Sequence, residues 1–218
     1  MITEGLVWLI IALPIISFLV NGVLVRAFVG SNSKYAGYIT IAAIGASFVL
    51  SLLALATVMS DGPLDFETHH WIFIGGMNLS FGLILDQLSA IMLLVVSGIS
   101  LLVQIYGQAY MEGDKSYTRY FAYMSLFTAS MLGLVLARNM IQIFVFWELV
   151  GVSSYLLIGF WMDRPSAAAA AKKAFIMTRF GDFGFLLGIL YLYSINPSYM
   201  DVSELYRAIG ADLITASM

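Results

Sequence analysis

The stretch NMIQIFVFWELVGVSSYLLIGFWM, Asn139 to Met162, decides the fold, because it is apolar enough to cross a bilayer and carries one charged side chain, Glu148, at its centre. At ~1.5 Å rise per residue the carboxylate sits on the order of 14 Å from the Asn139 end, near the midplane of a ~30 Å hydrocarbon layer. An ionised carboxylate there costs at least ~2.5 kcal/mol. It persists only with a partner, water or a role. The chain is therefore read as one that handles charge inside a membrane.

Composition agrees. The chain has 218 residues, of which 61% are hydrophobic and only 11% charged, with a mean hydropathy of +0.93. A soluble domain carries roughly 25% charged residues, so this is an all-α integral membrane protein whose first partner is the lipid bilayer. The net charge of −3 matters less than where the charges lie. No cysteine is present, which excludes iron–sulfur ligation, disulfides and thiol catalysis within these residues. His69 and His70 are neighbours in a loop and cannot hold a haem between helices. No phosphate-binding glycine loop or zinc spacing occurs, and no nucleic-acid partner is expected. Met1 to Val25 carries Glu4 and lacks a basic start, unlike a signal peptide.

Working outward, about six apolar segments reach spanning length: Gly5–Val25, Tyr35–Ser60, Leu88–Tyr110, Tyr120–Ala137, Met140–Met162 and Ala167–Ile195. Between the second and third, Trp71 to Ile74 and Leu79 to Phe81 flank Gly75-Gly76-Met77-Asn78, which predicts a short extracytoplasmic β-hairpin. After Asn196-Pro197, the spacing of Val202, Leu205, Ile209 and Leu213 predicts a short interfacial helix. The organisation is thus residues 1–82 (two spans plus hairpin loop), 83–195 (the helix bundle) and 196–218 (an interfacial tail).

Arg26, Lys34, Lys115, Arg119, Arg164, Lys172 and Lys173 fall on one side of these spans. Arg138 and Arg207 fall on the other, with Asp61, Asp65, Glu67, Asp201 and Glu204. The basic side is expected to be cytoplasmic, most simply at a prokaryotic inner membrane, with both termini outside.

Around Glu148, Gly151 and Tyr155 share its helical face, with Ser154 close by, and a small residue there lets backbone or water approach. The sixth span carries Lys172, Lys173, Arg179 and Asp182. Lys172 and Arg179 lie seven positions apart and nearly eclipse, while Asp182 lies one turn beyond Arg179 on the same side. Arg179 and Asp182 are expected to pair, and Lys172 is either part of a polar path or an interface anchor. Lys173 points elsewhere and snorkels. Asp86, opening the third span, reads as a helix cap. Arg138 reads as a turn or interface residue, and Trp8, Trp71, Trp147 and Trp161 mostly as aromatic-belt residues.

These motifs carry a resemblance. Phe146-Trp147-Glu148-Leu149-Val150-Gly151-Val152-Ser153-Ser154-Tyr155, and Ala171-Lys172-Lys173-Ala174-Phe175 through Thr178-Arg179-Phe180-Gly181-Asp182-Phe183-Gly184, resemble the antiporter-like subunits of respiratory complex I, the L-type subunit above all. Leu85-Asp86-Gln87-Leu88-Ser89 and Tyr110 to Lys115 are similar to the same family. The resemblance implies a proton-translocating membrane-arm subunit of an NADH:quinone oxidoreductase. Glu148 would be its proton-coupling carboxylate, with Lys172, Arg179 and Asp182 in the charged network. It also implies that FMN, iron–sulfur clusters and quinone sit on other subunits, with no cofactor or metal in this chain, and that the partners are other membrane-arm subunits. In the family the glutamate pairs with a lysine on a seventh span. The sequence ends at Met218, before such a span, so it is expected to be the N-terminal part of a longer subunit. The alternatives are the A-type subunit of a multi-subunit sodium/proton antiporter and a non-conducting scaffold fragment.

Overall fold

A computed structural model describes residues 2–74 and 77–210, with the backbone alone for 70–79. Helix α1 (Glu4–Leu19) runs without a break into a π-helical segment, Val20–Val29. It is followed by α2 (Tyr35–Asp61), α3 (Gln87–Tyr110), α4 (Tyr117–Val135), α5 (Met140–Ile158) and α6 (Pro165–Ile195). A 3-10 turn (Pro197–Met200) leads into α7 (Val202–Gly210). The helices coincide with the predicted apolar segments to within a few residues. Gly159 ends α5 earlier than expected, and Pro165, at the first helical position, starts α6 slightly sooner. Leu213 lies outside the described residues, as does the side chain of Trp71.

Five helices, α1 with its π extension, α2, α3, α5 and α6, are long and apolar enough to cross a membrane. The sixth long helix, α4, is less apolar because its inner face carries Thr118, Ser125, Thr128 and Ser130, all buried. It packs against α1, α3 and α5, while α6 rests on α5. Lipid offers no hydrophobic drive between helices, so close approach and polar contacts hold such a bundle together. A hydroxyl seam between α1, α2 and α4 provides both. Asn21 donates to Thr40 Oγ1 at 2.7 Å and to the Ala36 carbonyl at 3.2 Å, and Ser17 Oγ lies 3.1 Å from Ser125 Oγ.

Between α2 and α3 the chain makes four strands: β1 (Leu64–Asp65), β2 (His69–Ile74), β3 (Met77–Phe81) and β4 (Ile84–Leu85). β2 and β3 pair antiparallel, from His69 opposite Phe81 to Ile74 opposite Met77, with an irregularity between His70 and Ile72. β1 and β4 close the base of the excursion. Asp86 then caps α3 in a reciprocal box: its carboxylate accepts from the Ser89 N–H at 2.7 Å, and its own N–H donates to Ser89 Oγ at 2.8 Å.

Arg138 is more than the turn residue expected of it. Its side chain is 16% exposed and ion-pairs with Asp65 of β1 and with Asp201, the latter at 2.9 Å. It also donates to the Phe66 carbonyl at 2.7 Å. Next to it, Asn139 caps α5 and donates to the Ser80 carbonyl, while Gln142 accepts from the Gly82 N–H at 3.3 Å. One end of the bundle is therefore tied together at the start of α5.

The opposite end carries an exposed pair, Lys34 Nζ to Glu112 Oε1 at 2.6 Å, linking the loop after the π segment to the α3–α4 turn. Their mutual hydrogen bond lowers the Glu112 pKa and raises that of Lys34. Glu112 contributes stability fully above its ordinary 4.5 and loses it as pH falls through the lowered folded value. Lys34 contributes fully below its ordinary 10.5 and loses it as pH rises through the raised folded value. The pair thus acts across the whole span between those two pH values. It is screened by salt, so amide exchange in residues 30–34 should quicken in Glu112→Gln at low salt and match wild type at about 1 M salt, where the Debye length is ~3 Å. A difference that survives high salt would mean that the contact is not electrostatic.

Candidate functional site: a charged cluster between α5 and α6

Two long antiparallel helices joined by the short turn at 159–164 place the cluster. Aromatic contacts lock α5 to α6: Phe144 and Trp147 both meet Phe185, with ring centroids 5.9 and 6.1 Å apart, and Tyr155 meets Phe175 at 5.3 Å. On its other side α5 is seated by Gly133 of α4, whose missing side chain leaves the space filled by the Phe146 ring.

Within this frame Arg179 joins three groups. It ion-pairs with Glu148 across the helix interface. Its Nη1 lies 3.5 Å from Asp182 Oδ2, one turn along α6, and its guanidinium lies 4.5 Å over the Phe175 ring. Asp182, 5% exposed, also accepts a 2.8 Å hydrogen bond from Trp147 Nε1. The side chains of Glu148 and Arg179 are about a quarter exposed, at 24% and 30%. One guanidinium nitrogen, Nη1, thus meets both carboxylates, while the planar group stacks on Phe175, a contact that a lysine ammonium does not reproduce.

The expected Arg179–Asp182 pair is therefore present, with Glu148 as an added partner that reading along one helix misses. Depth along the helices contains the signal. Measured from the connecting turn at ~1.5 Å per residue, Glu148 lies about 15 Å in and Arg179 about 21 Å in. Side chains lean toward their helix N-terminus, so Arg179 reaches back toward the turn and Glu148 leans away from it, closing the gap. Trp147 is corrected likewise. It lies near the middle of α5 and serves Asp182, whereas the belt reading suits Trp161, whose Nε1 donates to Asp114 at 3.1 Å.

Lys172 and Lys173 are both exposed on α6, and neither makes an ion pair among the described residues. Gly151 has open space beside it, and Ser154 bonds back to the Gly151 carbonyl at 2.8 Å. No group of three or more metal-ligating side chains occurs among the described residues.

Long apolar helices define a multi-pass membrane protein, and between α5 and α6 it carries a carboxylate–guanidinium–carboxylate cluster at mid-helix. Two family models match the chain: NADH-Ubiquinone oxidoreductase (complex I), chain 5 N-terminus, over residues 71–121, and NADH:quinone oxidoreductase/Mrp antiporter, TM, over residues 137–217. The chain belongs to this family of antiporter-like NADH:quinone oxidoreductase subunits, of the chain 5 type. It is 46% identical over 197 residues to the NAD(P)H-quinone oxidoreductase subunit 5 of the Paulinella chromatophora chromatophore, covering 89% of this chain and 30% of that protein. It is 44% identical over 203 residues to chain 5 from Synechocystis sp., covering 89% of this chain and 29% of that one. The chain thus spans less than a third of the curated relatives it matches. Among solved structures, a chain of the archaeal membrane-bound sulfane sulfur reductase superposes with a TM-score of 0.72 at 22% identity, over 88% of this chain and 37% of that one. A chain of the Mrp complex from Dietzia sp. superposes with a TM-score of 0.71 at 25% identity, over 90% of this chain and 20% of that one.

Proposed function

We propose that the chain forms part of a proton-translocating membrane-arm subunit of an NADH:quinone oxidoreductase, in which quinone reduction on other subunits drives proton movement past Glu148. The observation that carries this reading is the position of Arg179 between Glu148 on α5 and Asp182 on α6. An ion pair that opens and closes changes the proton affinity of its carboxylate. Arg179 has a second anion one turn away, so it can lean toward Asp182, held in place by Trp147, and leave Glu148 to take up a proton. Return of the guanidinium expels that proton. Lys172 extends the basic side of this network toward the start of α6.

In this reading FMN, iron–sulfur clusters and quinone belong to other subunits, and the partners are neighbouring membrane-arm subunits. All six long helices cross the membrane, α4 included, as two spans in 1–82 and four in 83–195, with 196–218 at the interface. The hairpin and the N-terminus face outside, because the basic residues gather at the other end.

The likeness to the Mrp complex chain favours one second reading, a sodium/proton antiporter subunit. Proton uptake by vesicles bearing wild-type and Glu148→Gln complexes, with and without a sodium gradient, separates the readings. The pump predicts NADH-driven uptake lost in the variant and indifferent to sodium. Sodium-driven proton exchange supports the antiporter, and uptake unaffected by the substitution leaves only a scaffold.

A further inference from the structure

A second candidate site, largely apolar but carrying two arginines, lies where the π segment meets the start of α4. A cavity of about 230 Å³ opens there, bounded by Phe18, Asn21, Gly22, Arg26, Arg119 and Tyr123. One water occupies ~30 Å³ of liquid, so the space takes something larger. Two arginines line it and no carboxylate does. Arg119 is held in place from one side: its Nη2 donates to the Phe160 carbonyl at 2.8 Å, and its guanidinium lies 4.8 Å over the Phe160 ring. Its Nε is buried with no acceptor among the described residues. Arg26 is exposed and makes no ion pair among the described residues.

Asn21 adds an acceptor. It is fully buried, and the Ala36 carbonyl fixes its amide so that Nδ2 points into the hydroxyl seam. Its Oδ1 then has no donor among the described residues. Beside the cavity, Leu19, Val23 and Leu24 are about half exposed or more, as an apolar approach from lipid requires. Gly22 keeps the space open: a Cβ there would only just touch Ala122 and Phe18, both 4.0 Å away, so a longer side chain would project beyond them.

We propose that this cavity binds the headgroup of an anionic glycerophospholipid. Its phosphate sits between Arg26 and Arg119, a headgroup hydroxyl donates to Asn21 Oδ1, and the acyl chains lie along Leu19, Val23 and Leu24. Phosphate against paired guanidinium groups is a strong, charge-assisted contact. The site stands independently of the proton-pumping role, since none of its residues belongs to the Glu148 cluster.

The test uses the purified membrane complex containing the full subunit, reconstituted in phosphatidylcholine vesicles with a minor fraction of photoactivatable phosphatidylglycerol. Adducts on peptides covering residues 18–26 and 119–123 are quantified. Wild type should label there in preference to a phosphatidylcholine photoprobe. Arg26→Gln and Arg119→Gln should each lower the yield about tenfold at limiting probe. Gly22→Leu, which fills the space while keeping both arginine charges, should lower it similarly, and Lys115→Gln should not. Gly22→Leu and Arg26→Gln decide the matter if Arg119→Gln fails to assemble. Equal labelling by both lipids, or undiminished labelling in Gly22→Leu, overturns the site. Loss of the adduct on adding millimolar inorganic phosphate, with vesicle charge unchanged, would assign the cavity to free phosphate and overturn the lipid.

Discussion

Glu148→Gln leaves the complex assembled and lowers proton translocation by about 10²-fold or more, the scale set by losing a positioned proton carrier. The two outcomes separate because glutamine keeps the shape and an oxygen that accepts from Arg179 while giving up the titratable charge. Arg179 still has Asp182 at 3.5 Å, so the substitution strands no cation. Glu148→Asp keeps the charge and withdraws it by one methylene, opening the contact across the helix interface. Translocation should therefore be impaired less by Asp than by Gln. Vesicle proton uptake, normalised to assembled complex on native gels, measures this. Gln proving the milder change would sink the proton-carrying role.

Arg179→Ala acts on stability first. It removes the one cation shared by two carboxylates and leaves them facing each other between α5 and α6. Breaking a buried pair by removing one partner costs roughly 3–5 kcal/mol, and the partial exposure of this one, 30% and 24%, places it at about 3 kcal/mol or below. Assembled yield and thermal midpoint should both fall. The double variant Arg179→Ala with Glu148→Gln should recover part of the loss, since one stranded charge is gone. Arg179→Lys should fall between, keeping the charge but losing the planar stacking on Phe175. Wild-type stability in Arg179→Ala, or no recovery in the double variant, would show that the pair carries no energy.

What could be read from the chain followed the range of each physical rule. Glu148 was legible because a charge amid apolar residues is costly wherever the helix packs, and Asp86 because a cap and its Ser89 partner lie three residues apart. Asp182 was legible through the one-turn rule linking it to Arg179. The Arg179–Glu148 contact was not, because it depends on two helices lying antiparallel and on which way their side chains lean. The partners of Arg138, read as a turn or interface residue, were hidden for a related reason: Asp65 and Asp201 are far away along the chain, and only the folded strands and the start of α7 bring them together. Trp147 was misread because counting from span ends treats a tryptophan as a boundary marker even where its indole serves a buried carboxylate. The π segment was not legible, since Asn21, Gly22 and Arg26 within Val20–Val29 suit the end of an ordinary α-helix as well as they suit a wide turn.

That segment divides the chain by its tolerance to changes in length. The Gly30 N–H reaches five residues back, to the Val25 carbonyl at 2.9 Å, so the turn holds one residue more than α geometry needs. Removing a single residue between Arg26 and Val29 can be absorbed where it occurs, by the wide turn reverting to the ordinary pitch. Removing one between Glu148 and Ile158 cannot. It swings Glu148 by about 100° relative to the connecting turn and carries it off the face that meets Arg179. A scan of single-codon deletions, scored by assembly and proton uptake, should find survivors in the first window and none in the second. Equal loss in both would mean that the wide turn holds no spare residue. In genetic terms, one helix carries a removable letter and the other is a sentence that no deletion leaves readable.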